Sequence, residues 1–210
     1  MITLALETST TRGSVAAIEN GALLFSESFS ANRSHSSQLF DCIERTLFAV
    51  SEKSRIGQIV VGLGPGSYSG VRIAISAAVG LSLGLNAKLL GIPSIVAMNA
   101  EEYFAIGDAR RGTFYFSHVK TGEVLEGPLL LDPQALEEKI RAVSKQSPMP
   151  VFASEKIAAF DFIALNFPSA EKLARLAENG RSIIARDFLE PIYLREPHIT
   201  QPKSSSKLSC

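Results

Sequence analysis

Apolar residues come in short runs along the first half of the chain, and the period of each run predicts the element it builds. Residues 2–6, 14–18 and 23–29 are apolar or β-branched segments separated by Thr11-Arg12-Gly13 and Asn20-Gly21. Asn-Gly is a strong hairpin dipeptide, so these segments predict an antiparallel meander. Ser34 to Ser37 offers N-cap side chains. Leu39, Ile43 and Leu47, with Phe40 alongside, then keep helical spacing from Gln38 to about Val50. Residues 59–63 read as a buried strand, 71–85 as a helix, and 89–92 as a short strand ended by Pro93.

The 71–85 helix carries two stripes at i, i+4 spacing. One is Val71, Ile75, Val79 and Leu83; the other is small, made of Ser76, Gly80 and Gly84. If the first stripe faces a sheet, the second is free to meet a neighbour, because small residues let helix backbones approach closely. Farther along, residues 113–119 and 123–131 predict a hairpin around Thr121-Gly122, 133–143 a helix with Pro133 near its first turn, 151–153 and 162–165 strands, and 169–178 a helix stopped by Asn179-Gly180. The economical reading is a duplicated α/β lobe, residues 1–100 and 101–197, with the boundary near 98–102 and a polar Ser/Lys-rich tail at 198–210.

Composition narrows the function. The chain has 210 residues, 46% of them hydrophobic, enough for a substantial core. Its 21 basic and 21 acidic side chains cancel, so no overall charge draws it onto a phosphate backbone; if RNA is involved, another chain must hold most of it. Cys42 and Cys210 are its two cysteines and make no secretory disulfide framework. With no export signal at the N-terminus, the expected compartment is the cytoplasm. The longest uncharged run, residues 73–87, is shorter than the roughly 20 apolar residues of a bilayer span and contains Ser76, Gly80, Ser82, Gly84 and Asn86. It predicts burial in protein rather than lipid.

The most specific local feature is Gly64-Pro65-Gly66-Ser67-Tyr68-Ser69-Gly70-Val71-Arg72, between a buried strand and the apolar helix. Its glycines allow left-handed or tight backbone, with positive φ expected at Gly66, and amides at a helix N-terminus can hold an anion. The alternative is a plain strand-to-helix turn. Neither a Walker loop nor a hydrolase nucleophile elbow fits the spacing. Glu7, Thr8 and Ser9 place a carboxylate and hydroxyls at the end of the first strand, an ordinary turn composition with too few ligands for a metal. His35, His118 and His198 lack metal-ligand spacing. Asp108-Ala109-Arg110-Arg111-Gly112 is either an arginine site for an anion or a charged turn.

These segments resemble, in order, the motifs of the TsaB (YeaZ) family: Leu4 to Ser9, His35-Ser36 with Leu39 following, Gly64 to Arg72, the Gly80/Gly84 helix, Asp108 to Gly112, and Pro191-Ile192-Tyr193-Leu194-Arg195. The resemblance runs through nearly the whole chain. It implies an α/β fold of two lobes of the actin-like ATPase, or ribonuclease H-like, type (the ASKHA superfamily). It also implies a subunit that binds the related TsaD protein and, with the ATPase TsaE, supports formation of N6-threonylcarbamoyladenosine in tRNAs reading codons that begin with A. Catalytic relatives carry a His-rich metal motif after the strand at 89–92, where this chain has Ile92-Pro93-Ser94-Ile95-Val96-Ala97-Met98-Asn99, and a glycine-pair loop, whereas no two glycines are adjacent here. Many superfamily members also have aspartate where this chain has Glu7, a difference expected to matter in a phosphate site and hardly at all in a structural turn.

The expectation is therefore a scaffold with no catalytic residues, no metal and no cofactor. Leu39, Ile43 and Leu47 of one helix and Ser76, Gly80 and Gly84 of the next would meet TsaD, or a second copy of the chain when TsaD is absent. Glu7, Thr8, Ser9, Gly64, Gly66, Ser67 and Arg72 are the candidates for an anion or nucleotide contact. The alternatives are an ATP-dependent transferase or metallopeptidase-like enzyme of the same superfamily, and a subunit that recruits tRNA directly through Arg110, Arg111 and Arg195.

Overall fold

The computed structural model describes residues 1–30, 35–144, 149–158, 160, 162–184 and 188–195. The expected tail at 198–210 and the N-cap at Ser34 lie outside them. The first sheet holds β1 (Ile2–Glu7), β2 (Arg12–Glu19), β3 (Ala22–Ser30), β4 (Ile56–Gly62) and β5 (Lys88–Ile92), in the order β3-β2-β1-β4-β5. β1, β2 and β3 pair antiparallel, and β1, β4 and β5 parallel. Asn20 and Gly21 both take positive φ, 49° and 78°, as a type I′ hairpin requires.

The second sheet holds β6 (Glu102–Asp108), β7 (Phe114–Lys120), β8 (Glu123–Leu131), β9 (Val151–Ala153) and β10 (Ala164–Leu165), in the order β10-β9-β6-β7-β8. Counted from its own first strand this is again third, second, first, fourth, fifth, with an antiparallel meander followed by parallel strands. One topology is thus used twice, the doubled ribonuclease H-like lobe of the actin-like ATPase fold.

Helices fill the layers. α1 (His35–Ala49) and α2 (Tyr68–Leu85) cover one face of the first sheet. Their core contains Leu4, Leu6, Ile59 and Val61 from the strands and Leu39, Ile43, Val71 and Ala74 from the helices. α3 (Pro133–Ser144) covers the outer face of the second sheet, where Leu136 and Ile140 meet Phe104, Ile106 and Phe116. Between the sheets, Ala5, Ala16, Ile18 and Leu90 share a core with Tyr103, Ala105, Tyr115 and Phe152.

Three features depart from the pattern reading. β6, the central strand of the second sheet, occupies residues passed over as a lobe boundary and a charged turn. It is buried on both faces, Tyr103 and Ala105 toward one core and Phe104 and Ile106 toward the other, so no polar alternation marks it. β10 covers only Ala164–Leu165 of the strand expected at 162–165. α4 (Ala170–Glu178), assigned by position to the second lobe, packs on β1 and β2 of the first. Ser169 caps α4 by accepting from Lys172 N at 3.2 Å, and Ala170 N donates to Ser14 Oγ of β2 at 2.9 Å. The chain then stays with the first lobe, through an antiparallel bridge of Ile184 with Gly91 and a 2.8 Å bond from Ile192 N to Leu63 O.

Candidate functional site

The glycine turn is held by the segments on either side of it. Ser67 N donates to Ser9 O at 2.6 Å, Ser67 Oγ accepts from Gly70 N at 3.2 Å as the cap of α2, and Thr8 Oγ1 donates to Gly70 O at 2.7 Å. From the other side Ser94 joins in, accepting from Gly64 N at 2.9 Å through Oγ and donating its amide to Gly64 O at 2.8 Å. Positive φ falls on Gly64, at 85°, and not on Gly66 as expected. Gly66 is glycine for a different reason, since a β-carbon there would stand 2.0 Å from Ser9 O.

Glu7 is fully buried at the end of β1, on the cleft side of the sheet but behind the turn. Its Oε1 accepts from Ser9 N at 2.6 Å, while Oε2 lies under Gly62, where a β-carbon would come within 1.9 Å of it. Burial pushes its pKa above the ordinary carboxylate value, against the opposing pull of the bonds from Ser9 and Ser94. Gly62 thus has no room for a side chain, because the Glu7 carboxyl fills that space. Of the residues proposed for an anion contact, Ser9, Gly66 and Ser67 line an interlobe cleft of about 540 Å³. Glu7, Thr8 and Gly64 are buried, and Arg72 points outward, its Nη1 donating to Tyr68 Oη at 2.6 Å.

The far wall of the cleft is the β6–β7 turn. Arg110 and Arg111 take φ of 66° and 56°, an uncommon conformation for two successive non-glycine residues. Asp108 stabilises it: its Oδ1 accepts from Arg110 N at 2.6 Å and its Oδ2 pairs with Arg110 Nη1 at 3.0 Å. The segment 191–195 closes the cleft, with Arg195 Nη2 donating to Thr113 Oγ1 at 2.6 Å and Tyr193 against Tyr68 at 5.5 Å between ring centroids. Pattern reading gave Tyr68 and Tyr193 no role, because their meeting depends on the chain's late return to the first lobe. Among the described residues no three His, Cys, Asp or Glu side chains converge as a metal cluster would.

A second surface lies on the outer side of α1 and α2. Leu39 and Ile43, expected to meet a partner, are buried in the first lobe's core, and Leu47 packs against it. All three contribute to the lobe, and the buried Leu39 and Ile43 present no surface to a partner. The outward apolar residues of α1 are Phe40 and Phe48, 54% and 89% exposed. On α2 the stripe Val71-Ile75-Val79-Leu83 does not stay inward, because each four-residue step advances about 40° around a helix. Val71 and Ile75 are buried, with Ala74, Ala77 and Ala78 completing the inward side, but Val79 and Leu83 are 38% and 79% exposed. They come out beside Gly80 and Gly84, around whose β-carbon positions there is open space, and Phe40 stands across a shallow groove from Ser76, Gly80 and Gly84. α2, with mean hydropathy 1.4, has the length and composition to cross a membrane, yet a third of it is buried inside the protein and the rest forms this face.

Comparison with known proteins places this geometry in a family. The model for TsaD, tRNA N6-adenosine threonylcarbamoyltransferase, matches residues 29–189. The tRNA threonylcarbamoyladenosine biosynthesis protein TsaB of Haemophilus influenzae is 26% identical over 91% of this chain and 92% of its own length. TsaB of Escherichia coli is likewise 26% identical, over 91% and 94%. The crystal structure of a Pseudomonas aeruginosa protein with similarity to peptidase YEAZ superposes with a TM-score of 0.71 at 26% identity, covering 92% of this chain and 99% of that one. YeaZ from Pseudomonas aeruginosa gives a TM-score of 0.70 with the same coverage. The chain belongs to the family that the TsaD model describes, and within it to the TsaB (YeaZ) group, whose named members act in tRNA threonylcarbamoyladenosine biosynthesis.

Proposed function

We propose that this chain is a non-catalytic subunit required for N6-threonylcarbamoyladenosine modification of tRNAs reading codons that begin with A, and that it works by binding and activating TsaD, together with TsaE, in the cytoplasm. The observation that carries this reading is the outer face of α1 and α2, where Phe40, Phe48, Val79 and Leu83 are exposed around the open positions of Gly80 and Gly84. The lobe's own core is filled without them. A contiguous apolar face of this kind is characteristic of an interaction site, and TsaD, whose family model this chain matches, would meet it with its equivalent helices. A second copy of the chain would occupy the face when TsaD is absent, and tRNA would be reached through the complex.

The enzyme reading is disfavoured by Glu7. A carboxyl that served metal-bound phosphates would have to face the cleft, whereas this one is fully buried against Gly62 and the Ser9 amide. The test is copurification with TsaD, followed by a tRNA modification assay with TsaD and TsaE in the presence and absence of this chain. Modification should require the chain, and the chain alone should neither modify tRNA nor hydrolyse ATP above background. Turnover by the isolated chain that vanishes in Glu7→Ala would overturn the reading.

A further inference from the structure

The mouth of the interlobe cleft carries features that partner binding through α1 and α2 leaves unused. Tyr68, the first residue of α2, and Tyr193 are 53% and 43% exposed, with ring centroids 5.5 Å apart and planes inclined by 31°. The Arg72 guanidinium lies over the Tyr68 ring at 5.1 Å from its centroid. Across the cleft the left-handed backbone of the β6–β7 turn holds Arg110 and Arg111 outward; the Arg110 side chain is 80% exposed, and Arg111 makes no ion pair among the described residues. Behind them Arg195 is anchored to Thr113, with its buried Nε lacking a hydrogen-bond acceptor among the described residues.

Arg110, Arg111 and Arg195 thus stand against two carboxylates, Asp108 and Glu155, and both carboxylates are engaged in the wall. Asp108 binds the Arg110 amide and guanidinium, and Glu155 Oε1 accepts from Asp108 N at 3.3 Å. On a chain with zero net charge this is a local positive excess, set beside two partly exposed tyrosine rings. Guanidinium forks match phosphate oxygens, and tyrosine faces stack unpaired bases.

We propose that this rim is a docking surface for single-stranded RNA, with Tyr68 and Tyr193 as the stacking platform and Arg110 and Arg111 as phosphate contacts. The inference rests on the reading that the chain works in a tRNA-modifying complex, and the unpaired loop of that tRNA is the occupant. A protein partner would need an apolar centre, and the apolar centre of this lobe lies elsewhere. Leu83 is fifteen residues along α2 from Tyr68, about 22 Å at the rise of an α-helix.

The experiment is fluorescence anisotropy of a labelled anticodon stem-loop with the complex of TsaD and the full chain, over a range of salt, for the parent and the variants Tyr193→Ala, Tyr193→Phe and Arg111→Ala. Tyr193→Ala should weaken binding roughly tenfold or more, and Tyr193→Phe, which keeps the ring, should restore it. Arg111→Ala should lower the salt slope by about one. Coelution with TsaD should be unchanged in all three. Variants that bind RNA with the parent's affinity and slope overturn the proposal, and so do variants that lose TsaD, which would assign the rim to protein contact. If the parent itself fails to coelute with TsaD, the partner reading falls, and the isolated chain with oligouridylate decides the RNA surface. Binding lost in Tyr193→Ala supports the surface; no binding, or equal binding, removes it.

Discussion

The carbonyl oxygen of Ser9 occupies the space that a side chain on Gly66 would need: a β-carbon there would lie 2.0 Å from the oxygen, which already accepts the Ser67 amide at 2.6 Å. The turn between β4 and α2 is therefore locked against the end of β1 by close backbone contact, with the Thr8 hydroxyl adding a bond to Gly70 O. Gly66→Ala must push the two segments apart, at a cost of about 1–3 kcal/mol, with Gly66→Val costing more. Urea denaturation reads it directly. A Gly66→Ala variant that unfolds along the parent's curve would show that the turn tolerates separation.

Glu7 gives a pH signature. Its folded pKa is raised by burial above the ordinary value of 4.5, so the folded protein holds this proton more tightly than the unfolded chain does. The contribution of Glu7 to stability is present in full below pH 4.5 and is lost as pH rises through the raised folded pKa. Glu7→Gln keeps the shape, and an acceptor for Ser9 N, without an ionisable group. Its stability relative to the parent should therefore increase from pH 4.5 upward and level off once pH has passed the raised folded pKa. Unfolding free energies of both proteins across that range provide the measurement; a difference that does not change with pH would show that Glu7 keeps an ordinary pKa.

Much of the fold was legible because its elements announce themselves locally. Asn20-Gly21 and Thr121-Gly122 adopt the paired positive φ that their hairpins need, and the spacing of Leu39, Ile43 and Leu47 specified α1. The same spacing does not say whether an apolar stripe meets its own sheet or a neighbour, and Leu39 and Ile43 turned out to serve the core. Drift around α2 likewise carried Val79 and Leu83 to the surface. What was illegible depends on contacts distant in sequence. Nothing in residues 170–178 points to β1 and β2, and nothing around Glu7 points to Gly62 or Ser94. The tyrosine pair at the cleft mouth was hidden for the same reason.

The missed strand β6 offers a third test. Tyr103 is fully buried, and its hydroxyl donates to Ile95 O at 2.7 Å while accepting from Met98 N at 3.3 Å, tying the second sheet to the segment that leaves β5. Tyr103→Phe removes one oxygen and leaves the Ile95 carbonyl and the Met98 amide without that partner, at a cost of about 1–2 kcal/mol. Thermal or urea unfolding should show the loss as one cooperative transition, because the core between the sheets is shared. A variant as stable as the parent would show that these bonds are readily replaced by water.

The partner face separates folding from binding most cleanly. A β-carbon added at Gly80 meets nothing within 4 Å, so the side chain of Gly80→Leu leaves the helix into open space, and replacing an exposed helical glycine by leucine favours the helix by roughly 0.5–1 kcal/mol. The variant should melt at or slightly above the parent's temperature. Against a partner helix the same side chain is an obstruction, and overpacking of about 1–3 kcal/mol corresponds to a loss of affinity of about 5- to 150-fold. Leu83→Glu, at a site already 79% exposed, should likewise fold normally while placing a charge in the apolar contact. Both variants should bind TsaD more weakly and lower tRNA modification in the reconstituted system, with activity recovering as TsaD concentration is raised. If Gly80→Leu and Leu83→Glu both fold and bind TsaD as the parent does, the interface lies on another surface; if both unfold, this face belongs to the core.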